Sequence, residues 1–365
     1  MDTIGVGIIG ASPGTTSWAE VAHIPAIAAL PDYTLRAVST SRRASADAAA
    51  AAFGAPGYDD HRELIARPDV DLVVVAVKVP QHHRLIADAL TAGKMVYSEW
   101  PLGRDLAEAE DLAQRATSAG VRTVIGLQAR FSPVIVHARQ LVADGYVGEV
   151  LSATLVGSGS AWGGHTDRAH KYLYDVDNGA TVLASPVLHA LDAVATVLGE
   201  LTDLTAQLLV GRSEVEVVDE GIVQLVTAPD QVGLTATLAN GGLLTASFRG
   251  GVFRGGNLHW EIHGTHGDLV ISADGANGNI QVADLHLAGG RDDDVTLAPL
   301  PVPGLAGPDG IGANVHRLYA QLATDIRQGT TSVPGFAHAL DRHRLIDTIQ
   351  TAAQRTIATH PAHAA

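Results

Sequence analysis

The chain has 365 residues, with 24 Lys and Arg against 39 Asp and Glu for a formal net charge of −15, and 46% of its residues are hydrophobic. Such a charge repels a polyphosphate backbone, so no nucleic acid is expected as a partner, and the apolar content excludes a disordered chain. Cysteine is absent, which excludes disulfides, thiolate metal sites and cysteine nucleophiles; histidine, carboxylates, lysine, tyrosine or a bound cofactor must carry any chemistry.

The first third alternates strands and helices. Ile4 to Gly10, Thr34 to Ser39, Val70 to Val77, Met95 to Ser98 and Thr123 to Leu127 are apolar or β-branched runs. Between them, Trp18 to Leu30, Ala44 to Phe53, His83 to Ala92 and Arg104 to Ser118 repeat apolar residues at helical spacing. This order predicts a doubly wound parallel α/β sheet over residues 1–130. A helix from Pro133 to Asp144 follows, and past Gly148 the texture changes to alternating segments such as Val150 to Val156, Leu234 to Leu238 and Leu243 to Phe248. These predict a mostly antiparallel sheet with one buried face, in an α+β domain over 131–365. A polar loop from Ser158 to Asn178 precedes a helix from about Thr181 to Leu198, and two last helices, Asn314 to Gln328 and His338 to Thr359, are expected to return to the first domain. No leader pattern and no apolar run near the length of a membrane span is seen, so a cytoplasmic protein with no membrane partner is expected.

The first strand runs into Gly10-Ala11-Ser12-Pro13-Gly14-Thr15-Thr16-Ser17-Trp18. A tight glycine turn entering a helix suits a pyrophosphate, held by backbone amides and the helix dipole, although Ser12 stands where a second glycine is usual. After the second strand come Thr40, Ser41 and Arg42. An acid there would bind a ribose hydroxyl and repel a 2′-phosphate, whereas these residues favour the phosphate, so NADP is expected, with NAD as the alternative. Val77 to His83 and Tyr97 to Gly103 also lie at carboxyl ends of parallel strands, where ligands collect in open α/β sheets. The histidines show no metal-ligand spacing, and no metal is expected.

Several segments together resemble the Gfo/Idh/MocA oxidoreductase family: His23-Ile24-Pro25-Ala26, Ala92-Gly93-Lys94, Glu99-Trp100-Pro101-Leu102, Gln128-Ala129-Arg130-Phe131-Ser132-Pro133 and His263-Gly264-Thr265-His266-Gly267-Asp268-Leu269. Within it, the long Gly10 to Trp18 loop, Val77 to Pro80, Lys171-Tyr172-Leu173-Tyr174-Asp175 and Asn314 to Tyr319 are similar to the branch of the fungal galactose-pathway corepressor and its oxidoreductase-like relatives. The resemblance implies a Rossmann domain, an open-faced second domain, a nicotinamide cofactor, a sugar-like or polyhydroxylated substrate oxidised or reduced at a carbinol carbon, and a homodimer or homotetramer built through the second sheet. It also implies that Gly10, Ser12, Ser17 and Trp18 hold pyrophosphate, that Val79, Pro80, His83, Glu99 and Trp100 line the nicotinamide half after a cis Trp100–Pro101 bond, and that Gln128 and Arg130 close the far side.

Two departures bear on activity. Trp100 replaces the lysine usual between Glu99 and Pro101, and Ser185 replaces the aspartate usual four residues before His189. His189, with Asp192 at i+3 to orient it, is the expected proton-transfer group, and Lys171 and Tyr174 of the polar loop are the expected assistants. The sequence leaves two functions open: an NAD(P)-dependent oxidoreductase, or a catalytically silent dinucleotide-binding regulator.

Overall fold

Runs without polar alternation become strands covered on both faces. In the computed structural model, which describes residues 3–14, 17–304 and 307–359, β1 (Ile4–Ile9), β2 (Tyr33–Ser39), β3 (Gly57–Tyr58), β4 (Leu72–Val75), β5 (Met95–Ser98) and β6 (Thr123–Ile125) form one sheet in the order β3-β2-β1-β4-β5-β6. Every pairing in it is parallel. Helices α1 (Ile24–Ala29), α2 (Arg43–Phe53), α3 (His61–Ile65), α4 (His82–Thr91) and α5 (Leu106–Ala119) connect the strands. The chain reverses its winding between β1 and β4, the switch point at which such sheets leave a crevice outside their carboxyl ends.

The expected strand Val70 to Val77 is cut to Leu72–Val75, because the chain turns as a 3-10 helix at Val79–Gln81 with Pro80 in its first turn. The expected helix Trp18 to Leu30 is also interrupted: Ala19–His23 is a π-helical segment in which the Ile24 N–H reaches back five residues to Ala19 O. Pro25 has no N–H, so the regular ladder cannot continue through it.

The second unit comprises Ala129–Leu305 with Arg344–Ala365, and the first comprises Met1–Gln128 with Ala306–His343. Sequence alone places 131–365 in the second domain with its last helices packing back on the first; Ala306–His343 groups with the first unit. That stretch carries α8 (Ala313–Gln328) and the start of α9 (Phe336–Thr359), and α8 packs on α1 and on Ala19–His23.

In the second unit, β7 (Val150–Gly159), β9 (Leu201–Leu209), β12 (Gln231–Leu238), β13 (Leu243–Gly250), β14 (Leu258–Gly264), β15 (Gly267–Ala273), β16 (Leu285–Arg291) and β17 (Ala298–Pro299) form an eight-stranded sheet, antiparallel except where β13 meets β7. A small sheet joins β8 (His165–Thr166), β10 (Glu214–Val217) and β11 (Ile222–Leu225). Alternation decides which face is covered: Val232, Leu234, Ala236, Leu244, Ala246 and Phe248 are buried, while Thr235, Thr245 and Ser247 are exposed. Helices α6 (Pro133–Ala143) and α7 (Leu188–Leu198) pack on each other, and α7 is buried along most of its length. A second π-helical segment, Leu183–Val187 with Pro186 inside it, leads into α7. No described helix is long and apolar enough to cross a membrane.

Candidate functional site

The crevice residues of the first unit follow from the parallel sheet, since every β-to-α connection leaves at the same edge. After β1, Gly10 has φ +105°, and a Cβ there would lie 2.3 Å from Ala76 O beyond β4. Only glycine lets the loop settle onto the neighbouring strand end. Ser12 N–H donates to Gly10 O, and Ser17 Oγ donates to Ser12 O at 3.0 Å while accepting from Glu20 N–H at 3.4 Å. Glu20 Oε1 accepts from Gly14 N–H at 2.9 Å. Thr15 and Thr16 lie outside the described residues. Trp18 opens the helical run, and its buried Nε1 meets no hydrogen-bond partner among the described residues.

After β2, Thr40 Oγ1 pairs with Ser45 Oγ at 2.7 Å and donates to Arg42 O at 3.2 Å, so the strand end is a tight hydroxyl-lined turn. Ser41 and Arg42 are exposed. Among the described residues Arg42 forms no ion pair, whereas its neighbour Arg43 is taken by Asp47. The guanidinium that remains available is thus the one nearer the strand.

The β4 and β5 ends are stitched together by His82, a residue the sequence did not single out as a ligand. Its Nδ1 lies 2.9 Å from Pro101 O and its Nε2 3.0 Å from Val77 O. Burial pushes this imidazole's pKa down, so it is neutral and donates to one carbonyl at a time. Val79 is buried and Pro80 half-buried beside it. His83, expected at the cofactor, instead places Nε2 2.7 Å from Asp111 Oδ2 on α5; the first turn of α4 aims it at the neighbouring helix.

Glu99 is fixed by a chain that crosses the unit. His23 Nε2 lies 3.0 Å from Glu99 Oε1, and His23 Nδ1 lies 2.9 Å from the Tyr319 hydroxyl. With Nε2–H donating to the carboxylate, Nδ1 accepts from Tyr319, whose phenol burial holds well above its ordinary pKa. Tyr97 packs edge-on against His23, and Tyr33 donates to Tyr319 O at 2.8 Å. A Cβ on Gly126 would stand 2.7 Å from Glu99 Oε2, so the carboxylate has its place because residue 126 has no side chain.

The Trp100–Pro101 bond is cis, as expected from the sequence. The indole, expected to be a pocket wall, is 7% exposed and tilts against the His343 ring at 4.9 Å between centroids. Burial pushes His343 down to about 4. Gln128 is also buried, and its Oε1 has no hydrogen-bond partner among the described residues. An orphaned carbonyl oxygen, an orphaned indole N–H and the Gly10 cradle fit a polar dinucleotide lying along this edge.

In the second unit His189 is 5% exposed, its Nδ1 has no partner among the described residues, and burial pushes it down to about 4, with the Asp192 charge opposing. Asp192 was expected to orient this imidazole. Its carboxylate instead takes the Arg130 guanidinium at 2.8 and 3.1 Å, a charge-assisted bidentate contact that outcompetes a neutral ring. Arg130, expected at the cofactor, is therefore committed to a fully buried carboxylate. Lys171 Nζ pairs with Glu220 Oε2 at 2.6 Å. The Tyr174 hydroxyl donates to Gly163 O at 3.1 Å and His165 O at 3.4 Å, and burial raises its pKa, the opposite of what a general base needs. These two residues are held by neighbours from the small sheet and its loop, and among the described residues no hydrogen bond or ion pair joins either to His189. Among the described residues no group of three or more His, Asp or Glu is arranged to hold a metal ion.

A parallel sheet in this strand order, with a glycine cradle after β1 and a polar turn after β2, defines a dinucleotide-binding Rossmann protein carrying a second, sheet-based unit. Residues 4–127 match the oxidoreductase family with NAD-binding Rossmann fold, and residues 133–273 match the C-terminal domain of Gal80p. The chain is 38% identical over 210 residues to the dehydrogenase aclE of Aspergillus oryzae, a match spanning 56% of this chain and 57% of that protein. It is 28% identical over 402 residues to the galactose/lactose metabolism regulatory protein GAL80 of Saccharomyces cerevisiae, covering 95% and 92%. The crystal structure of a super-repressor mutant of that Gal80p has a TM-score of 0.88 at 25% identity, covering 98% of this chain and 97% of the other. Levoglucosan dehydrogenase in complex with NADH and levoglucosan has the same fold, with a TM-score of 0.82 at 21% identity over 97% and 98%.

Proposed function

We propose that the protein is an NADP(H)-preferring oxidoreductase that interconverts an alcohol and a carbonyl at a carbinol carbon of a sugar-like or polyhydroxylated small molecule, with NAD(H) as the alternative coenzyme. The observation that carries the cofactor half is the exposed Arg42, without an ion pair among the described residues, beside the Thr40–Ser45 hydroxyl turn, where family members that select NAD place an acid. Gly10, Ser12, Ser17 and Trp18 would hold the pyrophosphate, Thr40, Ser41 and Arg42 the adenosine ribose, and Val79, Pro80, Glu99, Trp100 and Gln128 the nicotinamide half. The bound dinucleotide would supply or take the hydride. Glu99, immobilised by His23, orients rather than transfers protons, and the Trp100 indole offers shape without a titratable group.

The proton falls to His189. Its imidazole is neutral at pH 7 because burial disfavours the cation, and its buried Nδ1 has no hydrogen-bond partner among the described residues, a position that a substrate hydroxyl would fill. Kinship with dehydrogenase aclE supports an enzyme, as does the likeness to a sugar-derived-substrate dehydrogenase.

A second reading, a catalytically silent dinucleotide-binding regulator, is favoured by one set of facts: Trp100 and Ser185 stand where lysine and aspartate are usual, Lys171 and Tyr174 are otherwise engaged, and GAL80, which matches nearly the whole chain, is a regulatory protein. The deciding experiment follows reduced-nicotinamide absorbance over a panel of polyols, sugars and keto-sugars, for the wild type and His189→Ala. Turnover lost in the variant is the expected result; tight coenzyme binding with no turnover on any compound selects the regulator.

The outer face of the eight-stranded sheet, lined by Thr154, Thr235, Thr245 and Ser247, is the proposed contact of a homodimer or homotetramer.

A further inference from the structure

Resting on the dinucleotide reading above, we propose that Glu20 is a built-in competitor for the pyrophosphate seat and limits how tightly this chain holds its coenzyme. The loop after β1 presents amides at the start of a helical run, and such amides attract whichever anion is nearest. In this structure that anion belongs to the chain: Glu20 Oε1 accepts from Gly14 N–H at 2.9 Å. Gly14 is exposed with φ +68°, and a Cβ there would meet nothing within 4 Å among the described residues, so the turn is not packed against the rest of the chain on that side.

The contact is built rather than incidental. The Glu20 backbone N–H donates to Ser17 Oγ, which in turn donates to Ser12 O, so both ends of Glu20 tie the helical run back onto the loop. A carboxylate in a first helical turn also lowers its energy in the field of the helix dipole, which favours the closed arrangement. A pyrophosphate reaching Gly14 must displace the carboxylate and then tolerate it as a near neighbour of like charge. The Ser17–Ser12 bond is untouched by that displacement, since rotation of the Glu20 side chain alone frees the amide. Glu20 thus sets coenzyme affinity and exchange without touching the reacting atoms.

The test measures dissociation constants of NADPH, NADH and 2′-AMP for the wild type, Glu20→Gln and Glu20→Ala by fluorescence titration, with thermal unfolding as the fold control. Glutamine keeps an acceptor for Gly14 and removes the charge; alanine removes both. Both variants are expected to tighten NADPH and NADH about two- to fivefold, the order of one exposed charge opposition, and to leave 2′-AMP, which has no pyrophosphate, unchanged. Unchanged or weaker dinucleotide binding in the variants overturns the proposal, and so does equal tightening of 2′-AMP, which would mark a general charge effect. Failure of the wild type and both variants to bind either dinucleotide overturns the dinucleotide reading and this proposal with it.

Discussion

The Arg130 guanidinium grips the Asp192 carboxylate side-on, Nη2 to Oδ1 at 2.8 Å and Nε to Oδ2 at 3.1 Å, one helical turn beyond His189. Asp192 is fully buried and the Arg130 side chain 19% exposed, so each charge relies on the other. Arg130→Met strips the counter-charge and is expected to cost about 3 kcal/mol in urea unfolding, whereas Arg130→Met with Asp192→Leu recovers most of that loss. A single variant that unfolds within about 1 kcal/mol of the wild type would show that the pair is not what allows this carboxylate to be buried.

Because Asp192 is spent on Arg130, His189 titrates as a buried imidazole with little support for its cation. Its folded value near 4 lies below the ordinary 6.5. The unfolded chain therefore takes up the proton first, and this residue's contribution to stability is complete above pH 6.5 and declines as pH falls from 6.5 toward 4. For activity, the acid limb of kcat/KM reports the free enzyme, and its midpoint is expected near pH 4. A limb centred at 6.5 that disappears in His189→Ala would mean that the imidazole is open to water when it works.

The alternation of apolar runs and helical repeats made the parallel sheet legible, and period-two alternation did the same for β12 and β13, because burial on one or two faces writes itself into neighbouring residues. Within the candidate site, the features seen as read from sequence are local turns: the left-handed Gly10 and the cis Trp100–Pro101 bond. His23 meets Tyr319 across 296 positions and Arg130 meets Asp192 across 62, and no local pattern encodes such pairings. The i+3 spacing puts Asp192 on the His189 face, and its charge does act on that imidazole, but the spacing says nothing of the Arg130 partner elsewhere. One sequence signal was present and unused: the first π-helical segment ends on the buried His23 just before Pro25, and the second contains Pro186 just before the buried His189.

The proposed preference for NADP(H) rests on Arg42. The side chain is exposed and forms no ion pair among the described residues, so a 2′-phosphate would find a charge-assisted donor beside the Thr40 turn. Arg42→Ala is expected to weaken NADPH binding about tenfold and to leave NADH within about twofold of the wild type. Thr40→Asp, which restores an acid at the strand end, is expected to reverse the preference. Isothermal titration of both coenzymes checks this; equal losses for NADPH and NADH in Arg42→Ala would remove the guanidinium from the ribose site.

The proposed association through the eight-stranded sheet is tested at the middle of its outer face. Thr245 on β13 is exposed and lies opposite Thr154 of β7 and Thr235 of β12. Thr245→Arg puts a cation where two copies would meet, and light scattering is expected to report a monomer with unchanged circular dichroism. An assembly of unchanged mass would exclude this face as the contact.

The turn between α8 and α9 depends on one carboxylate. Asp325 is fully buried; Oδ2 accepts from the Ser332 and Val333 amides at 2.7 and 2.9 Å, and Oδ1 from the Ser332 and Thr330 hydroxyls, both at 2.8 Å, and from Gln321 at 3.3 Å. Burial alone would raise its pKa, but hydrogen bonds from Val333, Ser332, Thr330 and Gln321 outweigh it and hold the group at about 2 against an ordinary 3.8. The unfolded chain protonates first on acidification, so the stabilisation is whole above about pH 4 and disappears as pH falls toward 2; the shift is worth about 2 kcal/mol. The same turn anchors β6, because Pro334 O accepts from Ile125 N–H and Phe336 N–H donates to Thr123 Oγ1 at 3.0 Å. Asp325→Asn cannot accept from both amides and both hydroxyls at once. It is expected to lower stability by about 2–3 kcal/mol, to flatten the acid limb of stability between pH 4 and 2, and to speed amide exchange in β6 before β1. Exchange that rises equally in every strand would show that the turn has no local hold on β6.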